Sequence, residues 1–240
     1  MYQVRRYRNW VEDKNLVSFQ VKIEESDLFI RAAKVLAQEA QDSLRHYREQ
    51  IQDYIQKHPE FANALEPYSL DQQAPDIIRQ MVEASSSAGV GPMAAVAAAI
   101  AEYVGRDLLK VSQEVIIENG GDIFLKTKRV RKIGIFAGRS PYTGKLALEI
   151  APQKDCLGIC TSSGTVGPSL SFGKADAAVV ISPSAILADA WATRLGNEVK
   201  FADDVDKTLD FIKGKAEIKG VVIIIGEKIG VWGDIKLIKP

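Results

Sequence analysis

The sequence predicts an α+β fold. Helical patterns dominate the chain up to Gly105, short β-rich runs dominate the remainder, and all 18 glycines of the 240 residues lie after Ala88. Helices first and strands later favour segregated layers over the regular strand–helix alternation of a doubly wound sheet.

Residues 2–8 and 16–23 read as strands of an opening hairpin. In the second, Phe19, Val21 and Ile23 alternate with polar neighbours, and Asn15 sits at a plausible turn. Ser26 or Asp27 can cap a long helix reaching His58-Pro59, its stripe formed by Leu28, Ala32, Val35, Leu36, Glu39, Leu44, Tyr47, Ile51, Tyr54 and Ile55, with Glu39 the one polar lapse. An irregular connector from Phe61 to Gln73 leads to a second helix, with Pro75 at its start and Ile77, Ile78, Met81 and Val82 on its apolar face. Pro92 opens a third over 93–104, so rich in alanine that it should be packed closely from nearly all sides, and Gly105 is expected to end it. Strands are expected at 114–118, 122–126, 132–136, 146–150, 156–161 and 175–182, separated by Gly, Ser and Pro. A fourth helix comes after Ser184, a fifth after Asp203-Asp204, and strands at 221–225, 228–232 and 235–238 close the chain. The expected product is one domain, 1–240: an N-terminal hairpin with helices (1–84), then a glycine-rich ligand-binding core (85–240) that forms a mixed sheet with packed helices.

With 46% hydrophobic residues the chain can bury a sizeable core. Its 31 basic and 31 acidic residues cancel, which removes the electrostatic footprint of a general nucleic-acid binder. No stretch reaches the roughly 18 apolar residues of a membrane span, and the charged N-terminus lacks a signal peptide's apolar run, so a cytoplasmic protein is expected. Cys156 and Cys160 read as small core residues. The basic run Lys126, Lys128, Arg129, Arg131 and Lys132 reads as a solvated turn, and the long helix as core or as the interface of a homo-oligomer.

Four segments carry chemistry. Around Gly89 and Gly91 the chain turns into a helix start, whose unpaired N–H groups suit an anion, unless the glycines only make a turn. Asn119, Gly120, Gly121 and Asp122 form either a hairpin turn or a ligand-facing loop. Thr161, Ser162, Ser163, Gly164 and Thr165 gather hydroxyls and backbone donors at a strand end, where phosphate or ribose would use them. Asp189 and Thr193, four apart, share one helix face as a hard-oxygen pair suited to Mg²⁺ or to a buried hydrogen bond. The two histidines, His46 and His58, lie far from these segments in sequence, so Ser-His or Cys-His catalysis is not expected.

Gly-Gly-Asp-Ile, Thr-Ser-Ser-Gly and Ala-Asp-x-x-Ala-Thr, in that order, resemble the ApbE superfamily of flavin transferases, the FAD:protein FMN transferase type, and its short cytoplasmic ApbE-like branch above all. The similarity covers roughly residues 85–240. An older label ties such proteins to thiamine biosynthesis and names no mechanism. The resemblance implies that Asp189 and Thr193 bind Mg²⁺, which holds the FAD diphosphate, with a backbone carbonyl near Gly89 to Gly91 completing the site. It implies that Gly120, Gly121, Asp122 and Thr161 to Thr165 line the nucleotide pocket. The activity implied is attack on the FMN-side phosphorus by a threonine hydroxyl of an acceptor protein, or by water, with AMP leaving. The family's histidine ahead of the metal helix has no counterpart here, which leaves Asp176 and Asp122 as base candidates and keeps open a non-catalytic nucleotide-binding module, or an enzyme acting on another phosphorylated substrate.

Overall fold

In a computed structural model, residues 15–71, 73–166 and 171–240 are described. The strand expected at 2–8 lies outside them. Strands β1 (Val17–Ile23) and β2 (Ser26–Ala32) form a hairpin, after which come helices α1 (Ala37–Lys57), α2 (Pro59–Asn63) and α3 (Asp76–Ala88). A 3₁₀ turn, Pro92–Ala95, leads into α4 (Val96–Leu108). Then come β3 (Val115–Asn119), β4 (Asp122–Lys126), β5 (Arg131–Gly134), β6 (Ala147–Ile150), β7 (Leu157–Ser162) and β8 (Ala177–Ser182). Helices α5 (Ala185–Glu198) and α6 (Asp204–Ile212) precede β9 (Gly220–Ile225), β10 (Lys228–Gly233) and β11 (Leu237–Ile238).

The opening differs from the sequence expectation. Ser26 and Asp27 begin a strand and cap no helix: β2 pairs antiparallel with β1, Val17 opposite Ala32 and Ile23 opposite Ser26, across a turn in which Glu24 takes a φ of 50°. Leu28, Ala32 and Leu36 fit a four-residue helical spacing, but Leu28, Ile30 and Ala32 also fit a period of two, and pairing with β1 and β3 decides for the strand. The long helix begins at Ala37 and lacks a side-chain cap.

Gly105 does not stop α4 either. A Cβ there would lie 2.2 Å from the Phe124 ring, so the glycine lets the helix rest on β4, and α4 runs on to Leu108.

The strands form an eight-stranded sheet ordered β1-β2-β3-β4-β7-β8-β9-β10 and a three-stranded one ordered β11-β6-β5. In contrast to the mixed sheet expected, every described pairing is antiparallel. Alternate residues of the large sheet serve two cores. Val115, Ile117, Phe124, Ala178, Val180, Val221 and Ile223 pack with the helices. Ile116, Leu125, Ala177, Val179, Ile181, Val222 and Ile224 pack with the small sheet. That explains why β8 and β9 are apolar on successive positions, although antiparallel sheets often keep one face wet.

Helix α5 lies close along β7 because both surfaces are small. A Cβ on Gly158 would fall 2.2 Å from Ala185 Cα, and one on Gly196 would approach Ser162 Oγ at 3.4 Å. Among the described residues no single helix is long and apolar enough to cross a membrane; the one pair that passes together, α3 with Pro92–Leu108, is bent by 105°.

Candidate functional site

The β3–β4 hairpin supplies one wall of the site. Gly120 and Gly121 form its two-residue loop at φ of 72° and 110°, both in the region that favours glycine. The Glu118 carboxylate accepts from Gly121 N at 2.9 Å, and the Asn119 amide donates to Ala97 O at 3.0 Å, fastening the hairpin to the first turn of α4. Asp122 Oδ1 accepts from Thr161 N at 3.3 Å, which ties β4 to the end of β7.

Helix α5 supplies the opposite wall. Asp189, only 7% exposed, accepts from Ala98 N at 3.3 Å, so one donor at the start of α4 already has a carboxylate on it. Burial, and after it the charge of Asp122, pushes the Asp189 carboxyl well above the usual carboxylate range. Among the described residues Asp189 has no cationic partner. Thr193, one turn further along, is half-buried. Cys160 sits beneath, fully buried, its thiol donating to Ala185 O at 3.3 Å; burial and the charges of Asp122 and Asp189 hold that thiol protonated.

The other expected site residues divide by geometry. Gly89 is the left-handed C-cap of α3, at φ 71°, with its N–H bound to Ser85 O and Ser86 O. Gly91 has extended backbone, and a Cβ on it would meet Ala64 O at 1.7 Å, so it serves contact with the segment after α2. A Cβ on Gly164 would meet Gly173 O at 2.2 Å. Gly121 is different: a Cβ on it would meet nothing nearer than Thr161 O at 3.9 Å, so the hairpin tip has room on that side. Thr161 and Ser162 end β7 half-buried. Ser163 and Thr165 are engaged within their own loop: Ser163 Oγ accepts from Thr165 N and Val166 N at 3.1 and 3.0 Å, and Thr165 Oγ1 donates to Asp176 at 2.9 Å. The second Asp176 oxygen accepts from Gly226 N at 2.8 Å, so this carboxylate ties the loop to the β9–β10 turn.

The basic run is partly internal. Arg131 is buried and pairs with Glu114 at 3.0 Å, while Lys128, Arg129 and Lys132 face solvent. Burial opposes ionisation of Glu114, but hydrogen bonds from Lys128 N, Thr127 and Arg131 hold its carboxyl below the usual range.

Gly121→Ala is expected to cost about 1–3 kcal/mol, because a side chain at φ 110° is strained whatever the space around it. Chemical denaturation measures this, and an unchanged midpoint would show that the turn relaxes.

A family model described as "AbpE bacteria" matches residues 8–211. A UPF0280 protein of Methanosarcina barkeri (strain Fusaro) is 43% identical over 82% of this chain and 78% of its own length. A UPF0280 protein of Methanocella arvoryzae is 44% identical over 80% and 78%. In fold, the apo flavinyl transferase ApbE of Pseudomonas stutzeri superposes with a TM-score of 0.57 at 16% identity, covering 90% of this chain and 93% of that one. The flavin transferase ApbE of Vibrio cholerae gives 0.60 at 11% identity, covering 92% and 97%. The hairpin, the long helix and the antiparallel sheet beneath packed helices are thus the ApbE fold, and the chain belongs to the ApbE-like family that the matching model describes.

Proposed function

We propose that this protein binds FAD or a related nucleotide through Mg²⁺ held at Asp189 and Thr193. The observation that carries the reading is the buried Asp189 carboxyl, which has no cationic partner of its own among the described residues and lies near the Asp122 carboxylate. An anion in such a place is costly until a cation joins it. Asp189 and Thr193 offer oxygen donors, which suit Mg²⁺. Among the described residues no three His, Cys, Asp or Glu side chains could hold a metal by themselves, so a cation here would draw further oxygens from Thr193, backbone carbonyls and the ligand's own phosphates. Bound Mg²⁺ would neutralise diphosphate charge and orient the phosphorus under attack. Asn119 holds the hairpin against α4, Glu118 braces the turn from within, and Gly121 leaves room for a nucleotide there.

Whether transfer accompanies binding turns on a base. Asp176 is committed on both oxygens, and no histidine comes after His58 in the sequence. This favours, as a second reading, a module that binds the nucleotide without turning it over, or an enzyme that needs a specific acceptor protein. Isothermal titration of FAD with and without Mg²⁺ tests binding; affinity indifferent to Mg²⁺ removes the proposal. AMP release from FAD by the purified protein alone is expected to be slow or undetectable, since no histidine is at hand, Asp122 accepts from Thr161 N and Asp176 is engaged on both oxygens. Fast release, lost in Asp189→Asn, would show that a base is present after all.

A further inference from the structure

We propose that Glu102 is the positioning residue that holds Asp189 in place, acting through the first turn of α5. This rests on the reading of Asp189 as the cation ligand. Glu102 is 1% exposed, in the middle of an α4 that is otherwise alanine and other apolar residues on its buried side. Its Oε2 accepts from Ile186 N at 3.1 Å and from Ser184 Oγ at 3.0 Å. Ser184 Oγ in turn accepts from Leu187 N at 3.4 Å, so one carboxylate oxygen sets both the second N–H of α5 and the hydroxyl that caps the third. Its Oε1 pairs with Arg106, which balances the buried charge from the rim.

Ala98 lies four residues before Glu102, on the same face of α4. That face therefore grips α5 twice, at the helix start through Glu102 and at Asp189 through Ala98 N. Asp189 is only the fifth residue of α5, and a slip of one position there would move its carboxylate by about 1.5 Å and about 100° around the axis. The single 3.3 Å bond from Ala98 N is a weak guard against such a slip, and a bound cation would compete for the same carboxylate. Glu102 supplies the anchor from outside the site.

Two substitutions separate reach from charge. Glu102→Asp keeps the charge but is one methylene too short to hold Ile186 N and Ser184 with α5 in place. Glu102→Gln keeps an acceptor oxygen at full reach and loses the charge, while Arg106 is exposed enough to turn to Gln80 or to solvent. Two measurements are made on variants shown to be folded by circular dichroism: Mg²⁺-dependent FAD affinity by calorimetry, and the Ala98 amide signal in ¹⁵N-correlated spectra without ligand. Glu102→Asp is expected to weaken affinity by about 10–100-fold and to shift the Ala98 amide toward a weaker hydrogen bond, with Glu102→Gln within about threefold of wild type and Ala98 unmoved. A role confined to stabilising α5 predicts changes at Ile186 and Leu187 with Ala98 and affinity untouched, and that result overturns the proposal, as does a Gln variant worse than Asp. Should wild-type protein bind no FAD with Mg²⁺, the functional reading fails, while the Ala98 amide still decides whether Glu102 positions Asp189.

Discussion

Asp189→Asn is expected to abolish Mg²⁺-dependent nucleotide binding and, in the absence of metal, to raise the melting temperature at neutral pH. Both effects come from one carboxylate. Burial and the neighbouring Asp122 charge raise the folded-state pKa of Asp189 above its unfolded value. A carboxyl raised in this way contributes most below its unfolded pKa of about 3.9, and that contribution is lost as pH climbs through the folded value. The metal-free wild type should therefore lose stability over that window. Asparagine keeps an acceptor for Ala98 N and never ionises, so its curve should be flatter. A buried charge left without a partner costs about 3–5 kcal/mol, and at this chain length each kcal/mol moves the melting temperature by about 2–4 °C. Mg²⁺ at a hundred times its Kd should restore about 2.7 kcal/mol to the wild type and nothing to the variant. Thermal melts from about pH 4 to about pH 9, with and without Mg²⁺, make the comparison. Superimposable wild-type and variant curves would remove Asp189 as the buried charged group, and a variant that still responds to Mg²⁺ would remove it as the ligand.

The parts of this molecule legible in the sequence are those whose cause is local. Gly120 and Gly121 announce a hairpin because a two-residue loop needs positive φ, and the apolar runs of β7, β8 and β9 mark strands whatever covers them. Asp189 and Thr193 fall on one helix face by spacing alone. Sequence reasoning fails where two local patterns compete, as at Leu28, Ala32 and Leu36, or where the cause is a distant neighbour. Gly91 answers to Ala64, Gly105 to Phe124 and Gly164 to Gly173, and no window of sequence around a glycine distinguishes such contacts from a ligand's approach. Glu102 escapes it for the same reason, since its partner Ile186 is 84 positions away. A single carboxylate in the alanine-rich run from 93 to 104 is the available signal, because a buried charge there requires a partner.

The second large effect is expected from Gly158→Ala. The proposed site depends on α5 lying against β7 at a distance that only glycine permits, for an added Cβ would stand 2.2 Å from Ala185 Cα and 2.4 Å from Ala185 N. These are backbone atoms at the start of a helix held by Ser184 and Glu102, and they cannot swing aside as a side-chain tip would. Either β7 bends or α5 lifts; the cost should reach the upper end of the usual overpacking range, about 3 kcal/mol, or a fall of roughly 6–12 °C in melting temperature. Gly196→Ala is the control on the same helix. Its Cβ would find Ser162 Oγ at 3.4 Å and Ala178 Cβ at 3.6 Å, ordinary contacts, and alanine gains helix propensity of up to about 1 kcal/mol, so its stability should hold or rise. Because Asp189 rides on the first half of α5, close to Ala185, folded Gly158→Ala at low temperature should also bind FAD and Mg²⁺ more weakly than Gly196→Ala. If Gly158→Ala melts with the wild type and binds as tightly, the close seating of α5 on β7 is not what places Asp189.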